Sequence, residues 1–399
     1  MALFFFFFLH VFFTILNSCN AKTPPKFPAI LIFGDSTVDT GNNNFILTPF
    51  RADHFPYGQE FPGHVPSGRF SDGKLVPDFL ASELGIKESV VPPFLDPNLS
   101  GDELRTGVSF ASAGSGLDDL TSVIAGVIPM SRQIEYFKIY VKKLEEMVGK
   151  GEAKKILNGA LVIICSGTND FGFSFYDIPT RRFEFNISGY QDFLQNRLQN
   201  FVKELYDFGC RKIVIAGLPP VGCLPIQMTI HFGDPIHGTC LEDQNSDSQS
   251  YNQKLKKLLP HIQESLLGST IVYADIYENV IDMINRPQKY GFVETKRGCC
   301  GTGLVETGPL CNLITPTCAN PSQYLPDLDP RSSVVTIVRD LHSNLYLKGI
   351  QKENERKEKK MLKSSSYNCI NEPWTNSDCV SMAQCYLPLQ GLSHRRIKN

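Results

Sequence analysis

Five short apolar segments constrain the fold of this chain more than any other feature of its sequence. They cover residues 29–33, 107–110, 160–166, 212–216 and 270–274, and Gly, Asp, Asn or Pro residues follow each of them. Continuous apolar runs, rather than alternating ones, are typical of strands buried on both faces of a parallel sheet. Helical periodicity occupies the intervals around residues 134–148, 190–205 and 251–267. The alternation predicts an α/β fold with three layers, in which helices cover both faces of a central, parallel, five-stranded sheet.

The first residues of the chain predict export. Residues 3–16 are almost wholly apolar and include five consecutive phenylalanines at positions 4–8. The run is shorter than the ~20 residues that span a bilayer, and it ends on the small residues Ser18, Cys19 and Ala21. This pattern predicts a signal peptide over residues 1–21 and a secreted protein without a stable membrane anchor. No Lys or Arg stands near Met1, so an uncleaved anchor is the alternative.

Charge and cysteine content narrow the classes of partner. The net charge of -2 provides no basic field for nucleic acid.

Removal of Cys19 leaves eleven of the 12 cysteines, an odd number, so at least one is free or pairs outside the chain. Cys165 lies in an apolar segment and is the predicted free, buried thiol. Four others lie in a loop rich in Gly, Thr and Pro, and we predict disulfides among them: Cys299, Cys300, Cys311 and Cys318.

A zinc site is the alternative interpretation of these four cysteines. Their spacing lacks a paired Cys-x-x-Cys, and no histidine is close in sequence. We therefore predict neither a metal nor a cofactor. Two sequons, at Asn98 and Asn186, are predicted glycosylation sites because the chain is expected to be exported.

Distinctive polar motifs follow the first four apolar segments. Ser36 comes directly after the first, Gly114 follows the second, Asn169 follows the third, and a Gly- and Pro-rich turn at residues 217–223 follows the fourth. Ligands of open parallel sheets bind at the carboxyl ends of the strands. A serine hydroxyl there can act as a nucleophile, and a backbone amide and a carboxamide can stabilise an oxyanion. Each residue alone also fits a structural role, as a turn or cap serine, a packing glycine or an Asx-turn asparagine. Their recurrence at successive strand ends favours a catalytic site, with the 217–223 turn as a pocket wall.

These motifs resemble those of the plant GDSL esterase/lipase family, which belongs to the SGNH hydrolases. The matching stretches are Phe33-Gly34-Asp35-Ser36, Asn42-Asn43-Asn44, Gly68-Arg69-Phe70-Ser71-Asp72-Gly73, Phe110-Ala111-Ser112-Ala113-Gly114, Gly167-Thr168-Asn169-Asp170 and Gly217-Leu218-Pro219-Pro220-Val221-Gly222-Cys223. The resemblance runs from about residue 27 to residue 324. It implies a flavodoxin-like SGNH hydrolase fold, with Ser36 as nucleophile. It also implies an oxyanion hole formed by the amides of Ser36 and Gly114 and the side chain of Asn169. Ser109 stands where the family usually has Asn.

The same resemblance defines the expected activity. It implies a hydrolase that cleaves acyl lipids or other acyl esters through an acyl-serine intermediate. With the predicted signal peptide, we expect a secreted enzyme of the apoplast or cell wall. The expected partner is a small-molecule or lipid ester, and we expect a monomer. The hydrolase domain is predicted at residues 27–325.

The chain departs from the family pattern after Tyr324. The family has an Asp-x-x-His element there, in which the histidine is the general base and the aspartate orients it. Here neither Asp327 nor Asp329 is followed by a histidine three residues later. The remaining candidate base is His342, with Asp340 as its partner, although Asp-x-His is one residue short. Residues 326–399, with a charge run at 352–363 and a polar tail, are predicted to be an atypical, poorly ordered segment.

Two further hypotheses follow from this departure. The chain could be a catalytically impaired family member that binds an ester or a glycan. Alternatively, the C-terminus could reflect an altered reading frame or splice form of an active enzyme.

Overall fold

Four strands form one parallel sheet within the part of the chain that the structure describes. The structure is a computed structural model, and it describes residues 27–230, 239–304, 310–312, 314–320 and 323–325. The strands are β1 (Ile30–Gly34), β2 (Leu161–Cys165), β3 (Lys212–Ala216) and β4 (Thr270–Ala274), paired in the order β1-β2-β3-β4. Residues from both strand faces, such as Ile30 and Leu31, are completely buried. This explains why the strands read as continuous apolar runs.

Helices flank the sheet and connect its strands. They are α1 (Val76–Glu83), α2 (Gly101–Thr106), α3 (Asp119–Ala125), α4 (Met130–Val148), α5 (Lys150–Gly159), α6 (Ile187–Asp207), α7 (Pro225–Ile230), α8 (Glu242–Ser265), α9 (Tyr277–Asn285) and α10 (Pro287–Tyr290). Short 3-10 turns at Asn42–Phe45, Arg181–Phe183 and Val221–Cys223 and a π-helical segment at Asp170–Asp177 complete the regular structure. The predicted α/β fold is confirmed, and so are the helices expected around residues 134–148, 190–205 and 251–267. No helix among the described residues is long and apolar enough to cross a membrane.

The predicted fifth strand is a bridged segment instead. Residues 107–110 lie beside β1, where the amide of Phe110 donates to the carbonyl of Ile32 at 2.8 Å and Ser109 makes isolated bridges to Ile32 and Pro93. The Nδ2 atom of Asn42 donates to the carbonyls of Ser109 and Ala111, at 2.9 and 2.8 Å. These carbonyls are therefore bonded to a loop side chain rather than to a neighbouring strand, and the described sheet has four regular strands, not five.

An aromatic core fixes the end of β1. The ring of Phe33 stacks on Phe110 at 4.9 Å and meets the edges of Phe137 on α4 and Phe201 on α6 at 5.6 and 5.3 Å. All four rings are buried. Such aromatic contacts add to the free energy of apolar burial. The carboxyl end of β1 is therefore packed firmly against two helices.

The cysteine loop is closed by disulfides, as predicted. Cys299 bonds to Cys318 and Cys300 to Cys311, which leaves none of these four thiolates for a zinc ion. A third disulfide, which the sequence did not identify, joins Cys223 to Cys240. Cys165 is a free, buried thiol as predicted, and Cys210 is another.

Candidate active site

Ser36 lies in a tightly constrained turn at the carboxyl end of β1. Gly34 has a φ of 137°, and a Cβ atom there would lie 1.8 Å from the carbonyl oxygen of Cys165, so only glycine fits. Gln133, which is buried on α4, accepts from the amide of Gly34 and donates to its carbonyl, both at 2.9 Å. The half-buried Ser36 is thereby presented at the edge of the sheet where ligands of parallel sheets bind.

The Gly114 loop is tied to the Ser36 loop by a single carboxylate. One oxygen of the buried Asp39 accepts from the amides of Gly41 and Asn42, both at 2.8 Å. The other accepts from the amide of Ala113 at 2.9 Å. Asp39 therefore sets the distance between the segment that carries Ser36 and the segment that carries Gly114.

Two backbone amides at this site remain available to a ligand. Among the described residues, neither the amide of Ser36 nor that of Gly114 has a hydrogen-bond acceptor. Gly114 has a φ of 88°, a left-handed backbone conformation that favours glycine. Unpartnered amides that face a pocket are the donors that stabilise an oxyanion in acyl transfer.

Asn169 adds a side-chain donor to the two amides. Its Nδ2 atom donates to the carbonyl of Ser115 at 2.8 Å, which fixes the orientation of the carboxamide and leaves its second N–H free of that bond. The neighbouring Asp170 is buried and accepts from the amides of Leu117 and Asp118 at 2.8 and 3.1 Å. Asn169 and Asp170 together therefore clamp the loop that follows Gly114.

One pocket brings the three predicted residues together. Ser36, Gly114 and Asn169 line a cavity of about 220 Å³. Most of the remaining wall is apolar: Phe50, Phe70, Phe173, Pro219, Pro220, Leu224, Pro225, Ile226, Val280, Ile284, Leu304 and Leu325. The predicted role of the 217–223 turn as a pocket wall is confirmed by Pro219, Pro220 and Cys223. A few polar donors in an otherwise apolar pocket suit an ester with a hydrocarbon portion.

Burial controls the titration of the groups around Ser36. It raises the pKa of Asp35 to about 6 and that of Asp39 to about 6, although each accepts backbone hydrogen bonds that oppose the shift. It raises the pKa of Cys165 to about 12, so this thiol stays protonated and is not a competing nucleophile. Cys165 instead accepts from the Thr37 hydroxyl at 3.1 Å.

No histidine among the described residues lines the pocket. The ring of His54 contacts the carbonyl of Phe55. The side chains of His64 and His261 are exposed to solvent. The candidate base His342 and its partner Asp340 lie outside the described residues. Leu325 does line the pocket, and its amide donates to the carbonyl of Glu294 at 2.9 Å. The position at which the family pattern is lost therefore borders the pocket.

A serine, two open amides and a carboxamide that line one pocket of an α/β fold are the arrangement typical of a hydrolase of the esterase type. The family model described as GDSL-like Lipase/Acylhydrolase matches residues 30–327. The chain belongs to this family.

Curated relatives agree with this assignment over most of their length. The Arabidopsis thaliana protein named GDSL esterase/lipase At2g31550 is 55% identical over 318 residues, which cover 78% of this chain and 88% of that protein. GDSL esterase/lipase At1g06990, from the same plant, is 54% identical over 329 residues, covering 82% and 91%. GDSL esterase/lipase At2g31540 is 52% identical over 336 residues, covering 82% and 93%.

Proposed function

We propose that this chain is a secreted serine hydrolase that cleaves carboxylic esters through an acyl-Ser36 intermediate. The observation that carries the proposal is the convergence of Ser36, the Gly114 amide and the Asn169 carboxamide on one apolar pocket. In this mechanism the Ser36 Oγ attacks the ester carbonyl. The amides of Ser36 and Gly114 and the free N–H of Asn169 stabilise the oxyanion. The ester C–O bond breaks, the proton of the Ser36 hydroxyl leaves with the alcohol, and water then hydrolyses the acyl-serine to the free acid and restores the hydroxyl.

The apolar wall supports acyl lipids or other esters with a hydrocarbon portion as substrates. The apolar lining residues can hold a hydrocarbon chain, while Ser36, Gly114 and Asn169 hold the reacting carbonyl. Because the site lies within one chain, we propose that the protein acts as a monomer.

The nucleophile is tested by a serine-directed phosphonate. If the chain has esterase activity, we expect the label to lie on Ser36 and the Ser36→Ala variant to lose it, as detected by mass spectrometry of the peptide. Ser166 also follows a strand but does not line the pocket, so Ser166→Ala is the matched control and should label normally. A label that persists in Ser36→Ala would exclude Ser36 as the nucleophile.

Extracellular location is tested through the two sequons. Asn98 and Asn186 are both exposed. The Oδ1 of Asn186 caps α6 by accepting from the amide of Gly189 at 2.8 Å, and its Nδ2 can carry a glycan without disturbing that bond.

We expect secreted protein to begin near Lys22 and to carry a glycan on Asn98 or Asn186. Asn186→Asp should remove a glycan at that position and keep the helix cap. Asn186→Ala should also lower the free energy of unfolding by about 1 kcal/mol, since it loses the capping oxygen. Intact-mass measurement and urea unfolding check these outcomes. An intact Met1 end together with bare asparagines would contradict export.

A catalytically impaired, ligand-binding protein is the second candidate function. It is favoured by the missing Asp-x-x-His and by the lack of a pocket histidine among the described residues. In this case the pocket would bind an ester or a glycan, and the rate of hydrolysis would stay near that given by the oxyanion donors alone.

A further inference from the structure

A short apolar tip projects from the loop that follows Ser36. The apolar tip comprises Phe45, Ile46 and Leu47. Leu47 is fully exposed and Phe45 is 45% exposed. The surrounding stretch, residues 42–50, contains no charged side chain. Large apolar side chains held in water are typical of a surface that meets a partner.

The apolar tip is anchored at its base. The side chain of Asn43 is buried and donates to the carbonyls of Phe50 and Ala113, at 2.8 and 3.0 Å. The Arg51 guanidinium donates to the carbonyl of Asn44. Because these bonds close the loop on both sides of the tip and tie it to the segment before Gly114, its exposure is built into the fold.

The apolar tip lies close to the pocket entrance. Phe50 lines the pocket, and its ring is 6.2 Å from that of Phe173, which also lines it. Phe50 is three positions after Leu47, so their Cα atoms are at most about 11 Å apart. A hydrocarbon surface that receives Leu47 would therefore be within reach of the pocket.

We propose that the apolar tip inserts into the surface of an uncharged or zwitterionic lipid layer and so brings the pocket to its ester. The proposal rests on the proposed function, because it assigns the pocket to a lipid ester. A protein partner fits less well, since three side chains that bury at most about 200 Å² each do not reach the roughly 800 Å² per partner of a specific interface. Insertion into a lipid surface needs only a few apolar side chains. Residues 42–50 carry no charge, and the adjacent Arg51 is paired with Asp53 at 3.3 Å, which argues against dependence on anionic headgroups.

The experiment measures flotation of full-length protein with phosphatidylcholine vesicles. All variants carry Ser36→Ala, so that vesicle binding is measured without hydrolysis. We expect the Ser36→Ala parent to bind, and Leu47→Ser to weaken binding about tenfold, the effect of losing one buried leucine side chain. Phe45→Ser should also weaken it, and raising the salt concentration should change little.

Leu267→Ser is the matched control. Leu267 is 80% exposed and precedes β4. It therefore lies at the amino ends of the parallel strands, whereas Ser36 lies at their carboxyl ends. Its variant should bind as the parent does. The proposal is overturned if the parent does not bind, or if Leu267→Ser and Leu47→Ser lose binding equally. Failure of the proposed function would show separately, as absence of phosphonate labelling on Ser36 in vesicle-free samples of the unmodified chain.

Discussion

Grafting a family-like Asp-x-x-His element after Tyr324, with the helix that carries it, should raise p-nitrophenyl ester hydrolysis about a thousandfold or more. An unassisted serine hydroxyl is a weak nucleophile at neutral pH and needs a nearby base to take its proton. The unmodified chain should hydrolyse this ester only feebly, because it lacks the base. Its rate should still exceed that in water, because the oxyanion donors alone speed the reaction. The measurement is kcat/KM of both proteins at neutral pH.

The structure gives this graft a fixed starting point. Tyr324 pairs with Glu294 in a parallel bridge, and Leu325 lines the pocket. A helix that starts there can direct a histidine at Ser36, whereas a histidine on an unanchored tail has no fixed distance to it.

Two controls separate the base from other effects of the graft. The same graft with glutamine in place of its histidine should stay near the low rate, and so should the graft combined with Ser36→Ala. The interpretation of the C-terminus would be wrong if the unmodified chain were fully active and His342→Ala removed that activity. Asp340 and His342 would then form an irregular dyad.

The origin of the departure can be examined in the transcript. The family match ends at residue 327, close to where the motif is lost. If the transcript across the codons for residues 324–331 is one uninterrupted frame, the splice hypothesis is contradicted and the impaired-enzyme hypothesis gains support.

The layered fold and the polar end of the pocket were predictable because each depends on local sequence. A buried parallel strand reads as an apolar run, and the residue at its end reaches the ligand edge whatever the connection is. This local pattern was sufficient to predict that Ser36, Gly114 and Asn169 meet. The prediction of a strand at residues 107–110 was wrong. An apolar run does not reveal that the Asn42 side chain donates to the carbonyls of Ser109 and Ala111.

The supports of the site were much less predictable. Gln133 braces Gly34 from 99 positions away in sequence, and a glutamine in a helical pattern carries no signal of that contact. Asp39 stands three positions after Ser36, but its bond to the amide of Ala113 depends on how two loops meet. The pairing of Cys223 with Cys240 likewise requires the fold, because spacing alone permits many connectivities.

The buried carboxyl of Asp170 should make the protein less stable as the pH rises from about 4 to about 7. Burial raises the pKa of this group from 3.8 to about 7, although the Thr121 hydroxyl and two backbone amides oppose the shift. The folded state therefore holds a proton that the unfolded state releases above about pH 4, so the free energy of unfolding falls as the pH rises and levels off above the folded pKa. The expected loss of stability is on the order of a few kcal/mol. The pKa values of Asp35 and Asp39 are raised in the same direction.

The contribution of Asp170 is isolated by comparison with Asp170→Asn, which keeps one acceptor oxygen and cannot ionise. Urea unfolding of both proteins at about pH 4, 5.5 and 7.5 should give a steeper loss of stability for the unmodified chain, because only it must bury a charge at the highest pH. Since all other titrating groups are common to the two proteins, the difference between the slopes reports Asp170 alone. Parallel slopes would mean that Asp170 has the same pKa in the folded and unfolded states. The clamp on the loop after Gly114 would then be a carboxylate at pH 5.5 and 7.5, and its three donors would offset the cost of burial.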